Sequence, residues 1–231
     1  DPLSRNVDFD NSQITENTRA AYPIEFVENY VPSGCADSPR HIFFLCADAF
    51  GVLPPIALLN LNQAVYYFLS GYTAKIAGTE TGLSKEPSAT FSTCFAAPFL
   101  PLNPHVYADK LAELVQKNGA SVWLVNTGWT GGKYGYGTRI PLAQTRSMIN
   151  AALYDKLKNV PMRNDEWFDI ATPVSCPGVP DILLSPEKTW KDSQAFFKTV
   201  SILTKKFDDN FQKYREAVSN EVYNSGPKER K

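Results

Sequence analysis

Five glycines, Gly128, Gly131, Gly132, Gly135 and Gly137, punctuate the stretch Asn126-Thr-Gly-Trp-Thr-Gly-Gly-Lys-Tyr-Gly-Tyr-Gly-Thr-Arg-Ile140, which continues through Pro141 to Arg146. Residues of this type and spacing let a backbone take positive φ and come close to a ligand, and a helix that starts directly afterwards favours an anion or a polar ligand edge. The chemistry is that of a nucleotide site; a plain connecting loop is the competing reading. Arg19, in Ile14-Thr-Glu-Asn-Thr-Arg19, is flanked directly by small residues, and its guanidinium could grip a phosphate or carboxylate with two parallel hydrogen bonds, or could be an ordinary surface arginine. Asp48 sits where an apolar run ends, a position that in α/β proteins is either functional or a turn cap.

The glycine stretch is not a standard phosphate motif. Gly128 to Tyr134 is one residue short of a Walker A loop and ends in tyrosine, which cannot supply the small hydroxyl that holds magnesium. Gly135-x-Gly137 is followed by Ile140 where the dinucleotide pattern requires glycine. The main phosphate cradle is therefore expected elsewhere.

Around these residues the chain supplies strands and helices. Ser121-Val-Trp-Leu-Val125 reads as a buried strand, and Leu142, Thr145, Ile149, Ala152 and Leu153 are spaced as one face of a helix, giving strand, glycine loop, helix. His41-Ile-Phe-Phe-Leu-Cys-Ala47 is apolar without alternation, which predicts a strand covered on both faces. Asn60 is an N-cap for a core helix carrying Leu61, Ala64, Val65, Phe68, Leu69, Tyr72 and Ile76, with Gly78 as its stop. Residues 78–90 are polar and aperiodic, a lid-like or disordered segment leading into Phe91-Ser-Thr-Cys-Phe95. Pro104 to Lys117 predicts a helix with Val106, Leu111, Leu114 and Val115 inward. Beyond Tyr154 the chain reads as irregular until a last helix from Asp192 to Val218, striped by Phe196, Val200, Leu203, Phe207, Phe211 and Tyr214.

The chain has 231 residues, 43% of them apolar, and a formal net charge of −1, enough for one large core or two small ones. Near-neutral charge with no basic block before the last few residues argues against a nucleic-acid surface, and no apolar run is long enough to span a membrane. Cys35, Cys46, Cys94 and Cys176 are far apart with no Cys-x-x-Cys spacing, so idle thiols in a cytoplasmic protein are expected rather than a disulfide. Two histidines, His41 and His105, exclude a histidine-rich metal site within the chain.

Several stretches together resemble one family, the ATP-dependent phosphoenolpyruvate carboxykinases. They are Ile14 to Arg19 with Tyr22-Pro-Ile24, Ala47 to Pro55, Phe68 to Lys75, Ala77 to Glu80, Thr90 to Phe95 and Leu124 to Trp129, in the family's order. The resemblance weakens between Asp155 and Val218 and returns at Ser225-Gly-Pro227. It implies an α/β, mixed-sheet mononucleotide-binding, carboxykinase-like domain, with residues 1–231 forming the carboxy-terminal nucleotide-binding and lid part of a larger enzyme. The family's amino-terminal domain, Walker A loop and metal-holding Lys, His and Asp are expected outside this sequence.

The resemblance assigns roles residue by residue. Arg19 matches the residue that binds the oxaloacetate carboxylate and the transferred phosphoryl group. Arg139, Ile140 and Thr145 match the adenine-holding positions, Arg139 by stacking and Thr145 by hydrogen bonding. Residues 78–95, including Gly78, Thr79, Glu80, Gly82 and Phe91, match the mobile lid that closes over the site. Lys85 is an extra residue in that lid, and Ala89 and Ala96 replace a usual proline and glycine.

The reaction implied is decarboxylation of oxaloacetate to an enolate that takes the γ-phosphoryl of ATP, giving phosphoenolpyruvate, ADP and carbon dioxide, with Mg²⁺ and Mn²⁺ as Lewis acids. Expected partners are the amino-terminal portion of the enzyme and its substrates, with no nucleic acid and no membrane, self-association into a homo-oligomer being left open. The competing readings are a non-catalytic nucleotide-binding or assembly fragment and a domain of another small-molecule kinase.

Overall fold

The computed structural model describes residues 3–8, 11, 21–75 and 88–227. Its centre is a five-stranded mixed sheet. In chain order the elements are β1 (His41–Cys46), β2 (Ile56–Leu59), α1 (Leu61–Ser70), β3 (Tyr72–Lys75), β4 (Ser88–Phe91), α2 (Pro104–Asn118), β5 (Ser121–Asn126), β6 (Trp129–Thr130), β7 (Thr138–Arg139) and α3 (Leu142–Leu153). There follow β8 (Met162–Asn164), β9 (Ala171–Pro173), α4 (Pro186–Thr189), α5 (Ser193–Phe211) and α6 (Asn220–Tyr223). The large sheet runs β1-β5-β2-β9-β8, and β3-β4 and β6-β7 form two small ribbons. β1 and β5 are parallel, with His41 opposite Ser121 and Cys46 opposite Asn126, while every other pair in the sheet is antiparallel.

Alternation along β5 explains the layers. Val122 and Leu124 face a core shared with α1, α2 and α5, whereas Trp123 and Val125 face a second core built on α3 and Leu183–Leu184. A central strand buried on both faces carries an unbroken apolar run for this reason. β1 departs from that expectation. It lies at the sheet edge, and Leu45 is 55% exposed because the α3 side of the edge strand is left open there.

α1 begins as expected, with a reciprocal capping box between Asn60 and Gln63, both bonds 2.9 Å. It ends earlier than Gly78. Gly71 takes the left-handed conformation, φ 54°, its N–H donating to the Tyr67 carbonyl at 2.9 Å. A Cβ there would lie 1.6 Å from the Ser92 oxygen, so only glycine lets the chain reverse at this point. Tyr72 is buried from strand β3, not from the helix, and Ile76 and Gly78 lie outside the described residues.

Two other helices are rotated from the expected faces. α2 buries Ala108 and Val115, with Leu111 and Ala112 partly covered, whereas Val106 and Leu114 point outward; the two alanines let α2 lie close against α1. α3 buries Thr145, Met148, Ala151 and Ala152, and its end residues Leu142 and Leu153 overhang the sheet and are exposed.

The segment after Tyr154 is not irregular throughout. β8 and β9 complete the sheet, and Phe168 and Ile170 are wholly buried in the first core. The Asp165 carboxylate, itself buried, accepts the N–H groups of Trp167 and Phe168 and holds the β8–β9 connection. The last helix carries the expected stripe: Phe196, Val200, Leu203, Phe207, Phe211 and Tyr214 are all buried. The helical run stops at Tyr214, short of Val218, through a 3₁₀ turn over Gln212–Tyr214. Phe207 sits within 5.0–6.4 Å of the rings of Tyr66, Tyr67, Tyr72, Phe91 and Phe168 and ties α1, β3, β4 and α5 together.

Candidate functional site

Because β1 and β5 run parallel in full register, their carboxyl ends emerge side by side, and the turns that follow interlock. Asn126, wholly buried, accepts the N–H of Asp48 at 2.9 Å and that of Gly128 at 2.8 Å on Oδ1, and its Nδ2 donates to the Leu53 carbonyl at 3.0 Å. The Asp48 carbonyl in turn accepts the Trp129 N–H, and the Ala49 carbonyl accepts that of Tyr134. A Cβ on Gly128 would come within 2.2 Å of the Asp48 nitrogen, so this glycine is set by backbone contact.

Asp48 serves this turn as a cap. It is wholly buried; Oδ1 accepts the Phe50 N–H and the Tyr72 hydroxyl, and Oδ2 accepts the N–H groups of Val52 and Leu53, all at 2.7–2.9 Å. Burial pushes its carboxyl above the ordinary range, opposed by those hydrogen bonds. Burial, and then the nearby Asp48, push the Cys46 thiol and the Tyr72 hydroxyl well up, so neither is an available nucleophile. The same four bonds saturate Asp48, so of its two readings the structure supports the structural one.

The glycine loop is closed by the β6–β7 ribbon, where Trp129 pairs with Arg139 and Thr130 with Thr138. Arg139 is exposed, but its guanidinium is positioned: Nε donates to the Thr127 carbonyl at 3.1 Å, and its carbon lies 5.6 Å from the Trp129 ring centroid. Trp129 itself packs edge-on against Tyr134 at 5.3 Å. Ile140 is buried and donates its N–H to the Gly128 carbonyl at 2.8 Å, which fixes where α3 starts. No side chain caps that start, since the N-cap residue is Pro141. Thr145 is 5% exposed, and its hydroxyl has no hydrogen-bond partner among the described residues.

Two residues in the weakly patterned part of the chain hold the loop from outside. Thr189 Oγ1 accepts the Gly131 N–H at 2.9 Å and faces Thr130 Oγ1 at 3.2 Å, while donating to the Pro186 carbonyl at 2.7 Å. Trp190 Nε1 donates to the Gly51 carbonyl at 2.8 Å. Nothing in the spacing of Thr189 and Trp190 marks them; Asn126 does open the glycine stretch, and a polar residue ending an apolar strand was the available signal.

The structure thus brings Arg139, Ile140 and Thr145 to one loop–helix junction. Arg19, Gly78, Thr79, Glu80 and Gly82 lie outside the described residues. Phe91 is in β4, opposite Tyr72 and 5.2 Å from the Phe207 ring, partly buried against the first core. Among the described residues no three His, Cys, Asp or Glu side chains converge into a group that could hold a metal ion. No helix among them is long and apolar enough to cross a membrane. All four cysteines are free.

A model of the phosphoenolpyruvate carboxykinase family matches residues 1–182. Curated relatives named phosphoenolpyruvate carboxykinase (ATP) include one from Caldanaerobacter subterraneus, 56% identical over 99% of this chain, and one from Thermus thermophilus, 54% identical over 98%. A third, from Afipia carboxidovorans, is 51% identical over 98%. The chain spans 43%, 43% and 42% of the lengths of these three relatives. By the extent of both matches, the chain belongs to the ATP-dependent phosphoenolpyruvate carboxykinase family.

Proposed function

We propose that this chain supplies the base-binding side of the nucleotide site in an ATP-dependent phosphoenolpyruvate carboxykinase, as a mononucleotide-binding, carboxykinase-like domain. The observation that carries the reading is the loop–helix junction. A guanidinium whose Nε is held 3.1 Å from the Thr127 carbonyl presents a planar cation on which a purine can stack, and the Thr145 hydroxyl, without a partner among the described residues, is assigned to a ring nitrogen or amino group. Ile140 gives an apolar contact at the same junction, and the uncapped start of α3 is compatible with a polar ligand edge.

In this reading the whole enzyme decarboxylates oxaloacetate and transfers the γ-phosphoryl of ATP to the enolate, giving phosphoenolpyruvate, ADP and carbon dioxide. Arg19 is assigned to the oxaloacetate carboxylate and the moving phosphoryl group, whose charge a bidentate cation stabilises. The phosphate cradle and the ligands for Mg²⁺ and Mn²⁺ are assigned to the remainder of the enzyme, in the cytoplasm. Residues 78–95 are assigned as the lid that excludes water, rooted where β4 packs on Phe207.

The test is a chimaera in which this chain replaces the matching segment of the Thermus thermophilus relative. Arg139→Ala should raise the KM for ATP by about 3- to 30-fold, as loss of a stacked cation implies, and leave the KM for oxaloacetate unchanged. Equal effects on the two substrates would count against the assignment.

A further inference from the structure

A cleft of about 660 Å³ opens between the outer side of the glycine loop and the first turns of α5. Neither Arg139, Ile140 nor Thr145 lines it, so it is not the junction assigned to the base. One wall is aromatic, made by Phe50, Tyr136 and Trp190. Trp190 is fixed there by its bond to the Gly51 carbonyl and by edge-on packing against Phe196 at 5.7 Å, which leaves ring surface toward the cleft. The opposite wall is one face of α5, with Ala195, Thr199 and Ile202 at helical spacing, Ile202 being 44% exposed.

Three lysines from separate segments meet at this cleft: Lys133 from the glycine loop, Lys191 from the connection before α5, and Lys198 from α5 itself. Lys191 and Lys198 have no partner among the described residues, and Lys133 reaches only the Tyr136 ring, at 5.5 Å. The one carboxylate in the lining, Asp192, is occupied in capping α5 through the N–H groups of Gln194 and Ala195. Lysines on a solvated surface are ordinarily interspersed with acids. Here three lysines line an apolar, aromatic recess with a single, already engaged, acid.

We propose that this cleft binds a small organic anion with a planar ring, the ring lying against the Phe50, Tyr136 and Trp190 wall and its phosphate or carboxylate group meeting the three lysines. Its volume lies within the roughly 300–1,000 Å³ of small-molecule sites, whose usual pattern is apolar walls with few charged groups. Charge-assisted hydrogen bonds to ammonium groups supply the anion's share, and ring contact supplies the rest.

Calorimetric titration of the 231-residue chain with phenyl phosphate, inorganic phosphate and benzyl alcohol tests both halves. Phenyl phosphate should bind at least about 10-fold more tightly than either other probe. Lys191→Glu/Lys198→Glu should weaken phenyl phosphate by about 10-fold or more and leave benzyl alcohol unchanged. Both positions are exposed and without a partner among the described residues, and circular dichroism checks the fold; if the double variant melts early, Lys191→Gln/Lys198→Gln takes its place. Inorganic phosphate binding as well as phenyl phosphate, unaltered phenyl phosphate binding in the variants, or no measurable binding of phenyl phosphate would each overturn the proposal. Because neither lysine belongs to the base-binding junction, failure here leaves the Arg139 assignment standing, and failure of that assignment leaves this one.

Discussion

Asn126 and Asp48 lie at the ends of two parallel strands, and the side chain of the first holds the backbone N–H of the second at 2.9 Å in a fully buried position. The turns that follow β1 and β5 are joined through this pair. Asn126→Ala would orphan the N–H groups of Asp48 and Gly128 and the Leu53 carbonyl. At about 1–3 kcal/mol for each buried group left unsatisfied, the loss should reach several kcal/mol in urea unfolding. Asp48→Ala removes the acceptor of four bonds and should cost as much. A change below about 1 kcal/mol in either variant, the scale of an ordinary exposed bond, would show that the two turns are not coupled as described.

Thr189 is the external clasp of the glycine loop. Thr189→Val keeps the shape but removes the acceptor for the Gly131 N–H and the partner of Thr130. Stability should fall by about 1–3 kcal/mol, and hydrogen exchange at Gly131 should accelerate, with Thr189→Ser restoring both. Unchanged exchange at Gly131 in the valine variant would remove Thr189 from this role.

The cysteines should divide cleanly by reactivity. Cys35 is exposed, whereas burial pushes the thiols of Cys46 and Cys176 up and that of Cys94 up to about 11. At pH 8 the folded chain should therefore give one fast thiol with a disulfide reagent and three more only in denaturant. The sign of the stability effect follows. A thiol whose folded pKa is raised contributes stability that is complete below the unfolded value of about 8.5, and that is lost as pH rises from there through the folded pKa. Two or more fast thiols in the native protein would contradict the burial of Cys46, Cys94 or Cys176.

Turnover should be absent from a sample containing only these 231 residues. The sequence has no Walker A loop, and the described residues offer no cluster of three metal-binding side chains, so beyond Arg19 the charge on a transferring phosphoryl group would go largely uncompensated. Oxaloacetate-dependent formation of ADP by such a sample, its composition checked by intact mass, would overturn this.

The parts of the fold legible in the sequence are those with long, uninterrupted signals. The β5 run and the Phe196 to Tyr214 stripe span enough residues for their periodicity to stand out, and the Asn60 cap carries its own chemistry. The end of α1 was obscured because Tyr72 and Ile76 continue the helical spacing past Gly71, and the tertiary contact with Ser92 that stops the helix has no sequence signature. β8 and β9 have three residues each, too few to display alternation, and their place in the sheet depends on pairing with β2. At the candidate site, the glycines stand out by their density in one short stretch, whereas Arg139, Ile140 and Thr145 were marked only by the resemblance to the family. Thr189 and Trp190 were marked by neither, because what matters about them is a contact across 58 and 139 residues of chain.

The proposed role of the junction of Arg139, Ile140 and Thr145 is to hold a purine base. A titration of the isotopically labelled chain with adenosine and with ATP, followed by amide and arginine side-chain NMR, tests it most directly. Both ligands should shift the Arg139 Nε–H signal and the amides from Ile140 to Thr145, and Arg139→Ala should abolish the shifts with the fold intact. Shifts confined to other parts of the chain, or none at millimolar ligand, would contradict it.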